Sequence, residues 1–62
     1  MAYQIWAKHD PIPRMLAWDI IKKFPFAWYN GRVLRTSEMR KAKQIKKELE
    51  KYFGSNVYIT EV

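Results

Sequence analysis

His9 is the chain's single imidazole, and Asp10 follows it directly. Adjacent side chains seldom converge on one substrate, and no serine or cysteine nucleophile has a recognisable context, so Asp10 reads as a helix cap rather than half of a catalytic pair. Glu48 and Glu50 stand two apart, about 200° around a helix axis, so they cannot share a metal ion or a substrate. A phosphate-cradling loop needs several closely spaced glycines, whereas Gly31 and Gly54 are isolated and serve as chain punctuation. With no cysteine and one histidine, the chain has no ligand set for an ordinary zinc site and no thiol for catalysis or disulfides. The expectation is a non-enzymatic protein with no catalytic residues, metal or cofactor.

What remains is the chemistry of binding. The chain has 62 residues, with 12 Lys and Arg against 6 Asp and Glu, a formal charge of +6, and 16% aromatic residues. A chain this short buries only about 60% of its unfolded surface, which argues for one compact domain over residues 1–62 without a deep cavity beside its core. No run approaches the roughly 18 apolar residues of a membrane span, and the start lacks the basic, apolar, small-residue order of a secretion signal. A cytoplasmic location and no membrane partner follow as expectations.

The elements that must position the binding groups can be read in order. Tyr3 to Lys8 alternates as a strand, with Tyr3, Ile5 and Ala7 on one side and Gln4, Trp6 and Lys8 on the other. Asp10 can cap a helix whose first turn accommodates Pro11 and Pro13 and which runs to about Phe24, its core side Leu16, Ala17, Ile20, Ile21 and Phe24, and Pro25 stops it. Phe26 to Tyr29 and Arg32 to Arg35 flank Asn30-Gly31, the pair suited to a type I′ turn, which predicts a hairpin. If that segment is only a bent strand or a loop, the order becomes β-α-β-α-β. Thr36 or Ser37 caps a second helix whose apolar side is Ala42, Ile45, Leu49, Tyr52 and Phe53, ending at Gly54, and Val57 to Thr60 closes as a strand. The expected order is β-α-β-β-α-β, an α+β split βαβ sandwich of ferredoxin-like type, with two helices on one face of an antiparallel sheet.

That arrangement offers three surfaces. The second helix directs Arg40, Lys43, Lys47 and Lys51 away from its apolar side, either as an anion-binding stripe or as a solvated lysine-rich face. Lys43/Lys47 and Lys47/Lys51 are like-charge neighbours one turn apart, and Glu50 is the acid that offsets them. The open side of the sheet carries Trp6 and Tyr58, with Gln4, Lys8 and Thr60 around them and either Trp28 or Tyr29 according to hairpin register. The first helix leaves Met15 and Trp18 outward beside Lys22, with Ile12 nearby, the residue types that protein interfaces favour.

Aromatic rings with basic neighbours on an open four-stranded sheet resemble, in layout, RNA-recognition domains, which stack unpaired bases there. Their aromatic consensus, Gly-Phe/Tyr-Gly/Ala-Phe, is absent from this chain. Peptidoglycan-binding sheets of SPOR type are similar in element order, but nothing in this sequence supplies the export they require. The leading expectation is a module that binds a polyanion, single-stranded nucleic acid or a nucleic-acid-handling complex, through Arg40, Lys43, Lys47, Lys51, Lys8, Trp6 and Tyr58. The other is a protein–protein adaptor or inhibitor of the kind found among phage and mobile-element chains, docking on an acidic protein surface through Ile12, Met15, Trp18 and Lys22 or through a sheet edge. A homodimer that pairs exposed aromatics is compatible with either.

Overall fold

Alternation in the first strand and the 3.6-residue period of both helices point one apolar side of each element toward a common interior. In a computed structural model, which describes residues 2–9 and 11–62, these sides meet. The elements are β1 (Tyr3–Ala7), α1 (Arg14–Lys23), β2 (Trp28–Tyr29), β3 (Leu34–Thr36), α2 (Met39–Phe53) and β4 (Val57–Glu61). The strands form one antiparallel sheet in the order β2-β3-β1-β4. Ile5, Leu34 and Val57 from one sheet face pack with Ala17 and Ile20 of α1 and Ala42, Ile45 and Leu49 of α2. Both helices therefore cover the same face, giving an α+β domain.

The hairpin forms, with a turn one residue later than Asn30-Gly31 predicts. Tyr29 pairs with Leu34 and Trp28 with Arg35, and the Asn30 N–H donates to the Val33 carbonyl at 3.3 Å, so Gly31 and Arg32 occupy the centre. Positive φ is needed at Gly31 alone (96°), which excludes a type I′ turn, since that requires two. Asn30 contributes through its side chain: Oδ1 accepts from the N–H groups of Arg32 and Val33, both at 2.9 Å. This pairing puts Tyr29 on the helix side with Leu34, and Trp28 on the open side with Arg35.

Among the described residues, neither helix has a side-chain cap bond. Pro13 occupies the N-cap position of α1, and Asp10, expected to cap that helix, lies outside the described residues. Glu38 occupies the N-cap position of α2. Thr36 is not a cap, because it pairs with Tyr3 inside the sheet and is 0% exposed. Among the described residues its Oγ1 has no hydrogen-bond partner, which leaves the hydroxyl desolvated without compensation from them. Thr36→Val should raise stability by about 1 kcal/mol, since a methyl group of similar volume replaces an unsatisfied polar atom. A melt of the variant that fell at or below wild type would show that the hydroxyl is bonded in solution.

Two other expectations change. Tyr52, assigned to the apolar side of α2, is exposed: it sits at the margin of the apolar arc in the last turn. Ile12, assigned to the surface beside α1, is 1% exposed. Its N–H donates to the Arg32 carbonyl at 2.8 Å and its carbonyl accepts from the Tyr29 hydroxyl, so the segment before α1 is clamped onto the hairpin. At the end of α2, Gly54 has φ 63° and ψ −138°, a backbone region that side chains with a Cβ avoid.

Candidate functional site

Cross-strand register fixes which side chains share the open face. One row crosses the sheet from β2 to β4 through Trp28, Arg35, Gln4 and Thr60. Next to it, Trp6 lies opposite Tyr58. Three aromatic rings thus lie on this face, Trp28 at one side and the Trp6–Tyr58 pair at the other, with the Arg35 guanidinium between.

The aromatic pair is held in place. The rings of Trp6 and Tyr58 have centroids 4.9 Å apart at an interplanar angle of 33°, and the Trp6 Nε1–H donates to Thr60 Oγ1 at 2.8 Å. Arg35 Nη2 donates to Gln4 Oε1 at 3.2 Å, while its buried Nε has no acceptor among the described residues. Platforms fixed in advance lose less rotamer entropy when a ligand stacks on them. Trp28 and Tyr58 are exposed, and Trp6 is half-buried.

At the hairpin end of the same face a cleft of about 340 Å³ opens between Trp6, Gln4, Val33, Arg32 and His9, at the lower end of the size range of small-ligand sites. Lys8 is exposed where β1 leaves the sheet. Arg32 and His9, which sequence reasoning did not select for this surface, reach it because the hairpin turn and the β1–α1 turn lie at one end of the sheet. His9 takes φ 73° there, a left-handed conformation in which histidine is enriched among non-glycine residues.

The basic stripe lies elsewhere. Ala42, Ile45 and Leu49 of α2 face the sheet, so Arg40, Lys43 and Lys47 belong to the helix layer, across the sheet from Trp6 and Tyr58, with Lys43 and Lys47 flanking the β4 edge near Ile59. The structure does not bring the stripe and the aromatic face together as one site. Lys51 is also not a free member of the stripe: it pairs with Glu48 at 3.0 Å. Lys46 pairs with Glu50 at 3.8 Å and Lys41 with Glu38 at 3.2 Å. Arg40, Lys43 and Lys47 form no ion pair among the described residues. Lys41 also stands 3.7 Å from the centroid of the Phe26 ring, tying the loop before β2 to the start of α2.

Glu48 also joins the two helices through Lys23 Nζ at 2.7 Å. The hydrogen bond from Lys23, then that from Lys51, holds the Glu48 carboxyl below its ordinary value, and the Glu48 bond raises Lys23. A lowered carboxyl contributes stability above its unfolded value near 4.5, and that contribution is lost as pH falls through the folded value. Glu48→Gln should therefore be less stable than wild type at neutral pH, and the two should converge in acid. Urea midpoints measured across that range check this, and a gap that persists in strong acid would assign the effect to packing instead.

On α1, Met15 is 83% and Trp18 55% exposed, with exposed Lys22 on the same side. Among the described residues, no helix is long and apolar enough to cross a membrane, and no three metal-ligating side chains come together. Comparison with protein-family models, curated proteins and solved structures finds no match to this chain.

Proposed function

We propose that this chain is a cytoplasmic, non-enzymatic binding module whose open sheet face takes single-stranded nucleic acid. The observation that carries the reading is the fixed Trp6–Tyr58 platform set apart from Trp28, with Arg35 between them. Unpaired bases expose π-faces that stack on such rings, while each phosphate needs a cation nearby, here Arg35, Arg32 or Lys8. A duplex hides its base faces and gains little from the same surface. The stripe on α2 then attracts a polyanion at a distance without touching the strand that lies on the sheet. As part of the same reading, the fold is a reduced split βαβ, ferredoxin-like sandwich; the central position of β1 between β3 and β4 supports it.

The test is fluorescence anisotropy of labelled single-stranded RNA, single-stranded DNA and duplex DNA at low and near-physiological salt. Single strands are expected to bind more tightly than duplex and to stay bound as salt rises, because stacking, unlike counterion release, is not salt-driven. Binding that vanishes with salt for all three would leave charge alone as the cause.

A second reading rests on the exposure of Met15 and Trp18 on α1, which suits an adaptor or inhibitor docking on another protein, with Lys22 at the rim. Trp18→Ala separates the two: it should abolish partner capture and leave nucleic-acid affinity unchanged.

A further inference from the structure

The two edges of the sheet differ. β2 closes one side with two residues, while β4 closes the other with the five residues Val57–Glu61. The reciprocal bonds between Ala2 and Val62 and the Lys8 N–H to Asn56 carbonyl bond show which backbone groups of β4 serve β1. They are those of Asn56, Tyr58, Thr60 and Val62. By antiparallel alternation, the N–H and C=O groups of Val57, Ile59 and Glu61 point out along the free edge. Edge strands are commonly blunted by shortness, lysine, proline or a bulge. β2 is short, whereas β4 contains no lysine or proline and pairs with β1 in unbroken register.

Beside this edge a groove of about 460 Å³ runs between β4 and α2, with Ile59 at its base and Lys43, Lys46, Lys47 and Glu50 along its wall. Glu50 is the one carboxylate among them and is engaged by Lys46. We propose that the free edge of β4 takes up an extended acidic peptide segment of a partner protein as a fifth strand, with alternate carboxylates laid in the groove against Lys43 and Lys47.

Two observations select this occupant. The edge presents donors and acceptors in alternation, which a peptide backbone matches and a phosphate backbone, offering acceptors only, does not. A second copy of the chain would match the backbone, but pairing β4 with β4 about a two-fold axis brings the same three lysines against their own images. An acidic strand satisfies the ladder and the charge together. This surface is separate from the sheet face of the proposed nucleic-acid site, and its occupation does not depend on that reading.

The probe is a capped synthetic peptide that alternates Glu with Thr, titrated into the ¹⁵N-labelled full chain. Amide exchange should slow at Ile59 and Glu61, whose N–H groups are free, and change little at Tyr58 and Thr60, which already donate to β1. The peptide with Lys in place of Glu, and the Glu peptide with alternate amides N-methylated, should both fail to protect those positions. Lys43→Glu with Lys47→Glu, on the exposed side of α2, should weaken the Glu peptide about tenfold or more, while Trp28→Ala leaves it unchanged. Absence of protection at saturating peptide, or equal binding of the Lys or N-methylated peptide, would overturn the proposal. So would protection of Ile59 that appears without peptide and grows with protein concentration, since it would identify a second copy as the occupant.

Discussion

Replacing Ile45 by alanine should leave much of the chain unfolded at 25 °C. Ile45 is fully buried where α2 meets the sheet, in a cluster with Ile5, Leu34, Leu49 and Val57. Truncating such a side chain removes its transfer free energy and leaves a cavity, typically costing about 2–5 kcal/mol. A single core in a chain this short rarely supplies more than about 3–5 kcal/mol in total, and no disulfide supplements it here. The loss is therefore comparable to the whole stability. Ile45→Leu keeps the volume and should cost less than about 1.5 kcal/mol. Thermal melts followed by circular dichroism check both: Ile45→Ala should lose its cooperative transition or fall by roughly 10 °C or more, at about 4–8 °C per kcal/mol for a domain of this size. A near-wild-type melt for Ile45→Ala would mean that the helix–sheet contact collapses around the gap. The same arithmetic requires a melt of every binding variant before its affinity is interpreted.

Trp28→Ala should weaken single-strand binding by about 1–3 kcal/mol, roughly 5- to 150-fold, the range for removing one stacking platform. The residue suits this test because it is exposed on a two-residue strand, so its removal leaves the core intact. Trp6→Ala should lose at least as much affinity. It also removes the ring partner of Tyr58 and the donor to Thr60, so some stability goes with it. The two tryptophans sit on β2 and β1 with β3 between them, and their effects should be close to additive if each holds its own base. Lys43→Glu with Lys47→Glu behaves differently under the same reading, lowering affinity at low salt and little at near-physiological salt, because those lysines lie in the helix layer, across the sheet from the aromatic face. Unchanged affinity in both tryptophan variants would remove the sheet face as the site. A large loss in the lysine variant at near-physiological salt would move the site to α2.

The strand β1, the presence of both helices and the places where they end, at Pro25 and Gly54, were legible because each depends on short-range pattern, whereas both helices begin later than the expected caps put them. Alternation gave Trp6 its side, and the 3.6-residue period gave Lys43 and Lys47 theirs. Thr36 misled because the same residue type caps helices and fills strands, and only its pairing with Tyr3 separates the two uses. Ile12 misled because its partners, Arg32 and Tyr29, come from the hairpin and leave no mark on the local pattern. Lys51 and Lys23 converge on Glu48, and the Lys23 half of that contact needs two helices to lie side by side.

Composition and periodicity by themselves determined an α+β chain with two amphipathic helices, an excess of positive charge, a single histidine and no cysteine. Each of those properties belongs to a segment or to the whole chain and is independent of how segments meet. The tertiary structure decided that Trp28 joins Trp6 and Tyr58 on one face, that the basic stripe belongs to the helix layer across the sheet, and that β4 is left as a long free edge. Those are relations between segments distant in the chain, set by strand pairing and by which face each helix buries, and a local pattern carries no record of its neighbour across the sheet.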